Sequence, residues 1–161
     1  PVKEALIVKN VVEKNPVDAV LLGGTGLQVT QIKSVQDALL PLGVEVFASH
    51  AGLDHTDLLR DMIKRGYKIM VSQFMVEGLD RSWLGKILDE HSLEELITLS
   101  RKYGFHDGGD GSAYDTFVMN APFFSKEIDF DVTEKILEDD YSGYLLAYGP
   151  KLLEKSVQQP L

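Results

Sequence analysis

Three glycines and three aspartates crowd into the nine residues from Asp107 to Asp115, within KYGFHDGGDGSAYDTFVMNAPFF (102–124). Carboxylates at 107, 110 and 115 are ligand types that Mg²⁺ and Ca²⁺ take. The order is not that of an EF-hand, which needs Asp-x-Asp-x-Asp-Gly and a closing glutamate. An Asp-Gly turn without ligand explains the same residues. His106 stands among these aspartates, which singles it out among the four histidines. A surface or capping role is the competing reading for it, as for His50, His55 and His91. Upstream, VEGLDRSWLG (76–85) carries the carboxylates of Glu77 and Asp80 and the single tryptophan, Trp83. Trp83 reads as a core anchor. Glu77 and Asp80 follow an apolar strand-like run, where acid–base or cation chemistry is commonly placed. LLGGTG (21–26) joins an expected strand to an expected helix. Its backbone N–H groups suit an anion, but it lacks a P-loop's Lys-Ser/Thr and the spacing of a dinucleotide loop. A tight turn accounts for it equally well.

These residues need elements to hold them. VKEALIVKNVVEKN (2–15) has apolar positions at helical spacing opposite a Lys/Glu face. VDAVLL (17–22), VEVFAS (44–49) and YKIMVSQF (67–74) read as strands, continuously apolar and so suited to burial on both faces. Helices are expected over 30–42, ending at Gly43, and over 57–66 with Thr56 as cap. Alternation of this kind predicts a parallel sheet with helical crossovers, whose ligands gather beyond the carboxyl ends of the strands. After Phe74 the texture changes. Ser82 is expected to open a helix through KILDEH. Ser92 and Glu95 have capping-box spacing for another, stopped near Gly104. Three β-like pieces follow, DTFVMNA, KEIDFDV and SGYLLAYG, with no helix between them. The expected class is therefore α/β: an incomplete parallel three-layer sheet over 1–75, then a small α+β region over 76–161.

The chain has 161 residues, 44% hydrophobic and 25% charged, with a formal net charge of −9. That composition suits a soluble globular protein. The negative field disfavours nucleic acid as a partner. No apolar run reaches membrane-spanning length. With no cysteine, thiolate and zinc-thiolate chemistry is excluded; a cytoplasmic setting is the expectation.

VEGLDRSWLGKILDE, followed by ITLSRKYGFHDGGDGSAYDTFVMNAPFFSKEI, resembles the C-terminal half of the diphthine–ammonia ligases. These are N-type ATP pyrophosphatases with an adenine-nucleotide α-hydrolase-like fold. The family pattern runs Glu-Gly-Leu-x-x-x-Trp-Leu-Gly, then Gly-Glu-Gly-Gly-Glu-Tyr-Glu-Thr, then an apolar strand and Ala/Gly-Pro-hydrophobic-Phe. PVDAVLLGG and LLRDMIKRGYKIMVS run in register upstream, so the likeness covers about residues 1–131. It implies a partial Rossmann-like region over 1–75 and a substrate-type region over 76–161. It also implies ATP and Mg²⁺ as cofactors, provided a nucleotide loop is supplied elsewhere, elongation factor 2 as protein substrate, and adenylation followed by amide formation with ammonia. Carried over by position, Glu77, Asp110, Tyr114 and Asp115 are the expected catalytic residues. Gly78, Gly109, Gly111, Ser112 and Thr116 are expected at the substrate, and Gly23, Gly24 and Lys33 at the nucleotide.

The departures shape the expectation. The family's Ser-Gly-Gly-Lys-Asp-Ser loop is not among these residues. Asp110 and Asp115 replace glutamates, Ser112 replaces a glycine and Ala113 replaces the central glutamate. An alanine side chain neither accepts nor donates a hydrogen bond. Lys33 stands in a segment where the family has Gln-Arg-x-Arg, and lysine does not reproduce a bidentate arginine. The expected function is that of a divergent or partial ligase-like protein without self-sufficient ATP-dependent ligation. One alternative is the substrate-side subunit of a split ligase with its ATP loop on another chain. Another is an unrelated small-molecule enzyme on the same scaffold. An open apolar strand edge further predicts a homo-oligomer, or a heteromer with a loop-bearing chain.

Overall fold

A computed structural model describes residues 1–24, 26–109 and 113–155. The chain divides into two compact units, Pro1–Leu58 and Leu59–Leu161.

The first unit holds α1 (Val2–Lys14), β1 (Ala19–Leu21), α2 (Val29–Leu39) with a 3₁₀ turn over Leu40–Leu42, and β2 (Glu45–Phe47). α1 contributes Ala5 and Val12 to a small core, and α2 contributes Val35 and Leu39. β1 and β2 pair in parallel, Val20 against Val46 and Leu21 against Phe47. Val20 and Val46 face that core. Leu21, 72% exposed, and Phe47 face away from it. The expectation of strands buried on both faces is corrected: the runs are continuously apolar, but only one face is covered by α1 and α2. Gly43 closes the 3₁₀ turn in the left-handed conformation, where the sequence places the helix end.

α3 (His55–Lys64) crosses from the first unit into the second. The Asp54 carboxylate accepts the Asp57 N–H at 2.9 Å, so Asp54 and not Thr56 occupies the cap position. Leu59, Met62 and Ile63 pack on the core of the second unit.

That second unit contains β3 (Lys68–Met75), α4 (Glu90–Tyr103), β4 (Tyr114–Asn120), β5 (Lys126–Leu137) and β6 (Ser142–Glu154). Its four-stranded sheet has the order β4-β3-β6-β5, and every pairing is antiparallel. The expectation of β3 as a third parallel strand is thereby corrected. Central position is what makes β3 apolar: Ile69, Met70, Val71 and Phe74 are buried. One of its edges is taken by β4. The other is shared between β6, at Gln73–Met75, and the extended segment Gly85–Leu88. There the Gly85 and Leu88 N–H groups donate to the Val71 and Ile69 carbonyls, and the Val71 N–H donates to Lys86 O. The strand's hydrogen-bonding groups are thus met without a parallel neighbour.

The segment after Asp80 is a turn, not the helix expected from Ser82. Asp80 Oδ1 accepts the Ser82 N–H at 2.7 Å and its hydroxyl at 2.5 Å. That local bond competes with helix formation and sends the chain back along β3. α4 starts three residues earlier than expected, capped at position 89 instead of 92. Asp89 is its cap, accepting Ser92 N–H at 2.7 Å, while the Ser92 hydroxyl accepts the Asp89 N–H. Gly104 ends α4 in the left-handed conformation, as expected. The fold is mixed α/β, with a parallel two-stranded sheet and an antiparallel four-stranded one. Among the described residues no helix is long and apolar enough to cross a membrane.

Candidate functional site

Two stretches that lie apart in sequence meet at the carboxyl end of β3. Phe74 pairs with Tyr114, and the Met75 N–H donates to Ala113 O at 2.9 Å. The chain then turns through Glu77 and Gly78. Gly78 has φ +103°, and a Cβ there would overlap the ring of Tyr103, lying 2.7 Å from Cγ. Only glycine lets the backbone lie flat on that ring. Tyr103 is the last residue of α4, so this contact joins the Glu77–Gly85 stretch to the end of the helix that leads into His106–Thr116.

Past Gly104 the chain makes a tight turn. Gly108 N–H donates to His106 Nδ1 at 3.1 Å, and Gly109 N–H donates to His106 O at 3.0 Å. The Tyr114 hydroxyl donates to Asp107 O at 2.6 Å. Gly109 has φ +81°, and a Cβ on it would lie 2.9 Å from Tyr114 O. Tyr114 is 5% exposed. It therefore closes this turn from the core side, with its hydroxyl committed to a backbone carbonyl. Asp115 and Thr116 follow on β4, exposed, paired with Gln73 and Val71. Glu77 is exposed as well. Asp110, Gly111 and Ser112 lie outside the described residues.

Ala113, where the resemblance places a glutamate, is buried at 6% exposure in the main core with Phe74, Trp83 and Tyr114. A carboxylate introduced there meets an apolar environment without a described partner. Trp83 is a core residue, as its composition suggested, and Lys86 Nζ lies 3.9 Å from its ring centroid while pairing with Glu95.

Asp80 borders an open cleft of about 390 Å³, lined also by Phe74, Arg81, Leu137 and Asp139. The Ser82 hydroxyl and backbone N–H hold the Asp80 carboxyl below the ordinary aspartate value, helped by Lys86 and Lys135. The Tyr141 N–H and the Ser142 hydroxyl do the same for Asp139. Both are turn-forming carboxylates that favour the ionised state.

In the first unit, Gly23 and Gly24 follow β1, and a Cβ on either would meet nothing within 4 Å. Thr25 of that turn lies outside the described residues. The Gln28 N–H at the start of α2 is taken by Gln31 Oε1 at 2.8 Å. Lys33 pairs with Asp37 at 3.2 Å on the exposed side of α2. The Gln28 N–H and the Lys33 ammonium are thus both engaged within α2. Among the described residues, no three His, Asp or Glu side chains come together to hold a metal ion.

Sequence reading did not single out Gln73, a polar residue inside an apolar strand, or Tyr144, which the sheet register sets beside it. The strand pairing that unites them is long-range and leaves no local signal.

Comparison with known proteins places these features. The family model of the diphthamide synthase C-terminal domain matches residues 54–150. The diphthine–ammonia ligase of Homo sapiens is 33% identical over 143 residues, which is 88% of this chain and 53% of that protein. That of Rattus norvegicus is 31% identical over 159 residues, 96% of this chain and 59% of that protein. That of Schizosaccharomyces pombe is 30% identical over 137 residues, 85% of this chain and 22% of that protein. The chain spans about half the length of the mammalian relatives it matches. On this coverage the chain belongs to the diphthine–ammonia ligase family.

Proposed function

We propose that this chain carries the acceptor-substrate side of a diphthine–ammonia ligase reaction, with diphthine on elongation factor 2 as the acceptor. Diphthine's carboxylate attacks the α-phosphorus of ATP, pyrophosphate leaves, and ammonia displaces AMP from the acyl adenylate to give the carboxamide. The supporting observation is the meeting of Phe74 and Met75, at the end of β3, with Tyr114 and Ala113, and of Gly78 with the ring of Tyr103. Exposed Glu77 and Asp115 offer acceptors for the N–H groups of incoming ammonia and for the proton released on its attack. Tyr114 acts by position, holding the His106–Gly109 turn through Asp107 O. Gly78 and Gly109 shape the backbone beside it. ATP and Mg²⁺ belong to a phosphate-binding loop outside the described residues, on a partner chain or another segment. Such a loop would supply the phosphate cradle and charge neutralisation.

Binding to elongation factor 2 tests the reading. The factor bearing diphthine is expected to bind this chain more tightly than the same factor with an unmodified histidine. Equal binding of the two, or none, overturns it.

A further inference from the structure

The register of the second unit aligns three polar side chains across three strands. Gln73 of β3 is paired with Asp115 of β4 on one side and with Tyr144 of β6 on the other. Directly paired residues of an antiparallel sheet share a face, with Cβ atoms about 4.5–5.5 Å apart. The adjacent row is Tyr114, Phe74 and Gly143. Tyr114 and Phe74 are buried in the main core, so Asp115, Gln73 and Tyr144 alternate to the face away from it. Gly143 sets the closeness of the packing: a Cβ there would lie 2.7 Å from Ile136 O and 3.3 Å from the Phe74 ring. The β3–β4 register slips between Val71 and Gln73, leaving Ser72 as a bulge immediately before the row. Bulges re-aim neighbouring side chains and are over-represented beside active sites. Gln73 and Tyr144 are half-buried and Asp115 is exposed. Among the described residues none of the three side chains is engaged by a hydrogen bond or ion pair.

The three groups have a specific chemistry. An ionised Asp115 only accepts hydrogen bonds, Gln73 both donates and accepts, and the Tyr144 hydroxyl donates to an oxygen. A primary carboxamide, with two N–H donors and one carbonyl oxygen, satisfies all three. A carboxylate offers no N–H and sets its charge against that of Asp115. We propose that Asp115, Gln73 and Tyr144 form a carboxamide-recognition row, which contacts the amide end of the ligation product and the N–H groups of the nitrogen from which it forms. The assignment rests on the acceptor-side reading above and adds Gln73 and Tyr144 to its substrate contacts.

Titration of the isotope-labelled full chain with butyramide, and separately with butyrate, followed by NMR, tests the row. Butyramide is expected to shift the Gln73 side-chain NH₂ and the Asp115 and Tyr144 amides saturably, with butyrate at least about tenfold weaker. Gln73→Leu and Tyr144→Phe are each expected to weaken butyramide binding about tenfold, the loss of one hydrogen bond of ordinary strength. No saturable shift at the row, an equal response to butyrate, or folded variants that bind like the parent overturns the proposal. Unperturbed amide dispersion in β3–β6 establishes that a variant is folded. Should one not fold, the parent's shift map and the butyrate comparison decide. Neither ATP nor elongation factor 2 takes part. Carboxamide binding without preference for the diphthine-bearing factor therefore sinks the reaction but not the row, and the reverse result sinks the row alone.

Discussion

Gly78 sits in a motif the resemblance assigns to substrate, yet its Cα is covered by the ring of Tyr103. Its lack of a side chain is a demand of packing. Two penalties follow for Gly78→Ala. The φ of +103° is strained for any L side chain, at about 1–3 kcal/mol, and the new methyl must push the ring aside. The variant is expected to melt several degrees below the parent. Adding Tyr103→Ala to Gly78→Ala should cost less than Tyr103→Ala costs alone, because the clash is relieved while the backbone strain stays. Thermal melts of the four proteins measure this. Additive losses would mean the two residues do not touch. Tyr114 carries a related lesson. Burial and a bond to Asp107 O make it a closure of the turn, a structural part beside the catalytic role that the resemblance carries over to it.

At the scale of elements, what was legible was local. Gly43 and Gly104 end their helices where sequence places them, because the left-handed cap is written in a single residue. The α+β texture after Phe74 was legible for the same reason, as strand pieces without an intervening helix. The partners of β3 were not. Its run reads as a parallel strand buried on both faces, and only long-range pairing with β4 and β6 makes it the centre of an antiparallel sheet. The Asp80 turn was missed because Ser82 satisfies a cap pattern equally well in a turn and in a helix. That turn has a measurable signature. The Asp80 carboxyl is held below its ordinary value of 3.8, first by the Ser82 hydroxyl and then by the Ser82 N–H. A depressed folded value means folding favours the carboxylate. Its contribution is complete above the unfolded value, and it disappears as pH falls from 3.8 through the folded value. Asp80→Asn keeps an acceptor oxygen and removes the ionisation. Melting temperatures followed from about pH 6 to about pH 2 should therefore fall less steeply below about pH 4 in the variant. The slopes would coincide if the carboxylate form of Asp80 were not preferred on folding. Asp89 and Asp139, also lowered, keep the variant's own slope above zero.

Across the whole molecule the two units are unequally provided for. The first buries Ala5, Val12, Val35 and Leu39 and leaves Leu21, Phe47 and Val29 exposed. The second builds its core from Ile69, Val71, Phe74, Trp83, Leu84 and Leu96, with the convergent motifs at its margin. The matched family domain, residues 54–150, lies almost wholly in that second unit. The nucleotide is where this division becomes testable. Tight Mg–ATP binding needs several backbone N–H groups and at least one cation aimed at the phosphates. Gly23 and Gly24 have open surroundings, the Gln28 N–H is occupied by Gln31, and Lys33 is paired with Asp37. Calorimetry of this chain with Mg–ATP is therefore expected to give no saturable heat at micromolar to low-millimolar nucleotide, and no pyrophosphate. Saturable binding with pyrophosphate release would place the phosphate cradle within these 161 residues and overturn the assignment of the nucleotide side to a partner chain or another segment. Binding that appears only when a loop-bearing chain is added would instead locate the cradle on that chain and leave the convergent motifs as the acceptor side.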